Sequence, residues 1–95
     1  MRHEIVLARE AVEDLRRLPA NERAEVKAAI EKHLRYGPTS VSKSRIKRLR
    51  GLSRPQYRLR VGDIRVFYDV SEQLVEVLAI VAKLGVDECL ERAGD

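Results

Sequence analysis

Apolar positions change period along this chain, and each change marks an element. His3 to Leu7 (HEIVL) is short and β-branched, which predicts a strand. Ala8, Ala11, Val12, Leu15 and Leu18 then recur at the spacing of one helix face. Glu10, Glu13, Arg16 and Arg17 lie opposite, and Glu13 to Arg17 is a four-residue pair in the favourable order. This first helix ends near Pro19. Val26, Ala29, Ile30, His33 and Leu34 form a second stripe, from about Asn21 to Tyr36. Gly37-Pro38 stops it, glycine by its C-cap tolerance and proline by its missing donor. The link from Leu18 to Asn21 is short enough to force an antiparallel helical hairpin.

From Tyr57 the period falls to two. Two β-branched and aromatic runs flank Gly62-Asp63, a strong two-residue hairpin signal. Glycine at the first central position suits a type II′ turn. That turn sets Val61 against Ile64, Leu59 against Val66 and Tyr57 against Tyr68, an apolar set that reads as the core side. The other side sets Arg58 against Phe67 and Arg60 against Arg65. Two guanidinium groups facing each other across a ladder repel. They point either to a missing anion, most simply a phosphate, or to side chains splayed into water. Phe67 shares the arginine side and could stack on a base if exposed; Tyr36, at the helix end, reads as packed.

Ile46 to Arg50 reads as a strand or irregular edge strand, protected by its basic residues. Thr39 to Ser44 and Gly51 to Pro55 read as loops. Leu74 to Ala82 (LVEVLAIVA) is almost continuously apolar, which fits an interior strand buried on both faces. Val86, Cys89, Leu90 and Ala93 suggest a short C-terminal helix. The expected architecture is a single α+β domain over residues 1–95: two N-terminal helices on one face of a small, mostly antiparallel twisted sheet, in the order β-α-α-β-β-β.

Composition agrees with one small, heavily charged globular domain: 95 residues, 36% charged and 44% hydrophobic. No apolar run approaches a membrane span or a signal peptide, so a cytoplasmic protein with no membrane contact is expected. One cysteine and two distant histidines offer neither a disulfide nor metal-ligand spacing, and no cofactor is expected. Charge adds more. Between Lys32 and Gly62 there are ten Lys or Arg residues and no acid, whereas the chain from Asp63 onward carries eight acids and three bases. One concentrated positive patch is the expected result, suited to a partner bearing phosphates.

Three stretches carry a family resemblance: DLRRLP at Asp14 to Pro19, RIKRLRGL at Arg45 to Leu52, and above all YRLRVGDIRVFYDV at Tyr57 to Val70. The chain resembles the RelE/ParE superfamily of bacterial and archaeal toxins over nearly its whole length. The resemblance implies the RelE-like sheet, a cognate antitoxin that blocks the basic face, and one of two targets. The RelE branch cleaves mRNA at the ribosomal A site; the ParE branch poisons DNA gyrase and has no nuclease site. Arg58 and Arg60 fall where RelE-type toxins carry two first-strand bases, and Arg65 falls on the phosphate-stabilising arginine. Arg60 replaces a lysine proposed as general base, a role arginine cannot take because it stays protonated. Leu84 and Leu90 occupy the places of a later arginine or histidine and a tyrosine. Lys83 is then the remaining candidate base. The implied site is catalytic Arg60, Arg65 and Lys83, with Lys43, Arg45, Lys47, Arg48, Arg50, Arg54 and Arg58 on the RNA backbone. The implied function is a ribosome-dependent mRNA endoribonuclease that inhibits translation; a gyrase inhibitor, or an inactive chain that only binds antitoxin, is the alternative.

Overall fold

The computed structural model describes residues 2–42, 45–51 and 54–82. The expected C-terminal helix, Lys43, Lys83, Leu84, Cys89 and Leu90 lie outside them. Strand β1 (Glu4–Leu7) leads into α1 (Arg9–Arg17) and α2 (Ala20–Ala29), and α2 runs on through a π-helical turn at Ile30–Leu34. Strands β2 (Ile46–Arg48), β3 (Tyr57–Val61), β4 (Ile64–Ser71) and β5 (Leu74–Ala82) follow. They form one sheet in the order β1-β5-β4-β3-β2, in which β1 is parallel to β5 and every other neighbour is antiparallel. The expected α+β architecture is observed, with the basic segment supplying the extra edge strand β2.

The hairpin register is the one that the sequence predicts, pair for pair from Tyr57–Tyr68 to Val61–Ile64. Gly62 has φ +60°, a left-handed conformation that glycine adopts without a Cβ clash. On the helix side of the sheet, Ile46, Leu59, Val61, Ile64, Val66 and Tyr68 meet Ala11, Leu15, Val26, Ile30 and Leu34 in one buried cluster. Burying each of the larger aliphatic side chains contributes about 1.5–3 kcal/mol, so this face supplies most of the stability. Tyr68 is fully buried and its hydroxyl donates to the Pro38 carbonyl at 2.5 Å, which fastens the loop after α2 to the sheet.

Strand β5 departs from expectation in an instructive way. It lies inside the sheet, but only one face is fully buried, by Val75, Val77 and Ile80. Phe67 pairs with Ala79 and Tyr68 with Val77, so Leu78 is an extra residue, a β-bulge. The bulge shifts the alternation by one, which is why the strand reads as a continuous apolar run. Its neighbour Ile80 donates its backbone N–H to Asp14 Oδ2 of α1 at 3.0 Å. Asp14 also takes the ion pair with Arg17 at 3.6 Å, where Glu13 was the expected partner. A shared carboxylate therefore clamps helix α1 to the irregular point of the sheet.

Candidate nucleic-acid interface

Alternation along β2, β3 and β4 carries a second set of side chains to the face away from the helices. Lys47 stands opposite Arg58, and Arg58 opposite Phe67. One step along, Arg60 stands opposite Arg65. The Arg60 N–H donates to the Arg45 carbonyl at 2.8 Å, which brings Arg45 alongside at the β2 edge. Four basic residues, Lys47, Arg58, Arg60 and Arg65, thus gather at one end of one sheet face, and among the described residues none of the four forms an ion pair.

The three arginines of the hairpin differ in environment. Arg60 is exposed. Arg65 is only 9% exposed, and its Nη1 donates to the Gly62 carbonyl at 3.1 Å and the Ile64 carbonyl at 3.4 Å. Those carbonyls lie in the Gly62-Asp63 turn and at the first residue after it, so the hairpin itself fixes the guanidinium's direction. Arg58 is half-buried, and its Nε is enclosed with no hydrogen-bond partner. Burial pushes its pKa below the usual arginine value, and the Arg65 and Arg60 charges push the same way. A buried N–H left unpaired costs about 1–3 kcal/mol, more when charged. An anion bound between these groups would relieve both the desolvation and the repulsion.

The remaining candidates do not converge on this spot. Arg48 lies on the helix side of the sheet, 4.9 Å above the Tyr57 ring, and Tyr57 in turn stacks on Tyr68 at 5.5 Å and 16°. That geometry is a cation–π cap on the aromatic pair, and it turns Arg48 away from the outer face. Arg50 is exposed beyond the end of β2. Arg54 donates to Asp69 Oδ2 at 2.7 Å and to Glu76 Oε1 at 2.9 Å. Its pKa is raised above the ordinary arginine value, first by the hydrogen bond to Asp69. Phe67 is 1% exposed and so is not a stacking platform, while Tyr36, which reads as packed in the sequence, is 64% exposed. Among the described residues there is no group of three or more His, Cys, Asp or Glu able to hold a metal ion, and no helix long and apolar enough to cross a membrane.

Asp69 is the residue that the sequence reading passes over. Its Oδ1 accepts the Gln56 N–H at 2.7 Å, and Gln56 Oε1 accepts the Val70 N–H at 3.0 Å. The carboxylate thus organises the approach to β3. The signal was present: Asp69 is an acid on the outward phase of a strand whose earlier outward residues are Arg65 and Phe67.

A five-stranded sheet with two helices on one face and a basic hairpin on the other defines the fold of a RelE-like toxin. The chain belongs to the family of ParE toxins of type II toxin–antitoxin systems, parDE, whose sequence model matches residues 5–82. Solved structures resemble it as well. The RelE–RelB complex from Pyrococcus horikoshii OT3 is 25% identical, with a TM-score of 0.64 over 87% of this chain and 97% of that one. The RelB–RelE antitoxin–toxin complex from Methanococcus jannaschii is 23% identical, with a TM-score of 0.69 over 88% and 96%. The RelBE2 toxin–antitoxin complex from Mycobacterium tuberculosis is 21% identical, with a TM-score of 0.71 over 86% and 99%. The latter two show the shared fold. No curated protein is significantly similar to the chain.

Proposed function

We propose that this toxin is a ribosome-dependent mRNA endoribonuclease, held inactive in the cytoplasm by a cognate antitoxin. The observation that carries this reading is the enclosed, unpartnered Nε of Arg58 beside Arg60 and Arg65, with no described carboxylate to answer them. A phosphodiester presents two non-bridging oxygens that an arginine fork grips in a bidentate contact. In the proposed reaction the ribose 2′-oxygen attacks the adjacent phosphorus. The 2′-oxygen–phosphorus bond forms, the phosphorus–5′-oxygen bond breaks, and a cyclic phosphate and a 5′-hydroxyl result. Arg60 and Arg65 stabilise the charge that builds on the phosphate oxygens, with Arg65 pre-aimed by the turn carbonyls. Arg58 holds the backbone, and Lys47 extends the track onto β2. Lys83, assigned from its sequence position and acting in its neutral form, takes the proton from the 2′-hydroxyl, water protonates the departing 5′-oxygen, and the ribosome supplies positioning. The antitoxin partner is supported by the toxin–antitoxin complexes that share this fold, and the unneutralised arginines suit an acidic inhibitory segment.

The family match to ParE toxins favours a second reading, in which the target is DNA gyrase and the basic face serves protein contact. Two assays separate them. Mapping mRNA 5′ ends in a cell-free translation reaction is expected to reveal cuts in the A-site codon that depend on ribosomes. Incubation with gyrase and supercoiled plasmid is expected to leave no trapped cleavage complex. The reverse pair of results assigns the chain to gyrase and rejects the nuclease.

A further inference from the structure

A separate cleft opens on the other side of the β2 edge, between the end of α2 and the start of β2. Its volume is about 340 Å³, and its lining includes Lys32, His33, Ser40, Ser42 and Arg45. That volume is at the small end of the roughly 300–1,000 Å³ of ligand pockets. Three basic side chains and two hydroxyls line it, with no acid among them. We infer that this cleft is a second phosphate-group site, distinct from the arginine cluster on the outer face.

Its construction supports the inference. Ser42 Oγ accepts the backbone N–H groups of Arg45 at 3.1 Å and Ile46 at 3.3 Å. With its oxygen taken up by those donors, the hydroxyl proton is free to point at an oxyanion. The Ser42 N–H donates to the Ile46 carbonyl at 2.9 Å, so Ser42 is tied to the start of β2 through both its backbone and its hydroxyl. Ser40 is seated against Gly37, where an added Cβ would come within 3.0 Å of its Oγ. His33 is half-buried on the α2 side. Burial first, then Arg45 and Lys32, lower its pKa from the ordinary value of 6.5. Two cations from two elements, Lys32 and Arg45, therefore face one small space beside His33, and again an anion is the missing component. Arg45 joins the two sites, since its carbonyl accepts the Arg60 N–H while its side chain lines the cleft. A strand lying across the β2 edge could place one phosphate at Arg60 and another here. The same chemistry would also accept free phosphate.

The test is an NMR titration of the His33 imidazole in the folded protein, with inorganic phosphate in one arm and a short single-stranded RNA in the other. Phosphate is expected to raise the His33 pKa, and Arg45→Gln to weaken phosphate binding about tenfold, the loss of one charge-assisted hydrogen bond. Arg65→Ala is expected to leave the phosphate response intact, which separates this site from the outer face and from any failure of the nuclease reading. An RNA response at His33 that Arg45→Gln removes identifies a backbone phosphate as the natural occupant. A response to phosphate without one to RNA identifies the free anion. No change in His33 with either ligand, or an equal response in Arg45→Gln, overturns the site.

Discussion

The outer face of the sheet has two ends, and they treat arginine in opposite ways. At one end Arg54 is gripped by Asp69 and Glu76, which are cross-strand partners on β4 and β5. At the other, Arg58, Arg60 and Arg65 face one another with Lys47 nearby and no described acid among them. Phe67, buried, stands between the two on β4. Both ends are built on the same strands with the same alternation, so backbone geometry does not distinguish them. What differs is whether the chain supplies its own counter-charge. Arg54 has its anions within the fold, whereas Arg58, Arg60 and Arg65 have none among the described residues, and that difference underlies the nuclease reading.

Breaking the unneutralised end should have the largest effect. Arg65→Ala is expected to lower ribosome-dependent cleavage about 10²–10³-fold, the scale of losing one pre-aimed donor to a developing oxyanion. Lys83→Ala is expected to abolish cleavage too, and unchanged 5′-end mapping would remove it as the base. Asp69→Ala breaks the opposite end. It leaves the Gln56 N–H without its acceptor and should destabilise the fold by about 1–3 kcal/mol in urea melts. It also takes from Arg54 one of its two carboxylates, leaving Glu76, so RNA affinity should rise slightly at low salt. A smaller effect comes from pH. Because the folded-state pKa of His33 lies below 6.5, the unfolded chain takes up that proton first as pH falls, and stability contributed by neutral His33 is lost below that value. Urea midpoints across that range should fall less in His33→Gln than in wild type. Arg54→Ala, the smallest, should leave RNA affinity unchanged.

The hairpin was fully legible in the sequence because one glycine fixes the turn and the turn fixes every pair. The helices were equally plain, since Ala11, Leu15, Val26, Ile30 and Leu34 keep one spacing. Strand β5 was only half legible: a bulge at Leu78 hides in an apolar run. The site divides in the same way. Arg58, Arg60 and Arg65 follow from alternation alone, and alternation also separates Lys47 from Arg48, which the basic run conceals. Arg54 could not be sorted locally, because its partners lie 15 and 22 residues away along the chain. Burial of Phe67 is likewise a tertiary property that its outward phase does not reveal.

Salt dependence of single-stranded RNA binding tests the contrast between the two ends most directly. Each phosphate contact contributes about −0.7 to the slope of log affinity against log salt for a single strand. Arg58→Ala combined with Arg60→Ala is expected to flatten that slope by about 1.4, and Arg54→Ala to leave it where it was. Equal slopes in wild type and the double variant, or a slope that falls only with Arg54→Ala, would contradict the assignment of the unpaired end to nucleic acid.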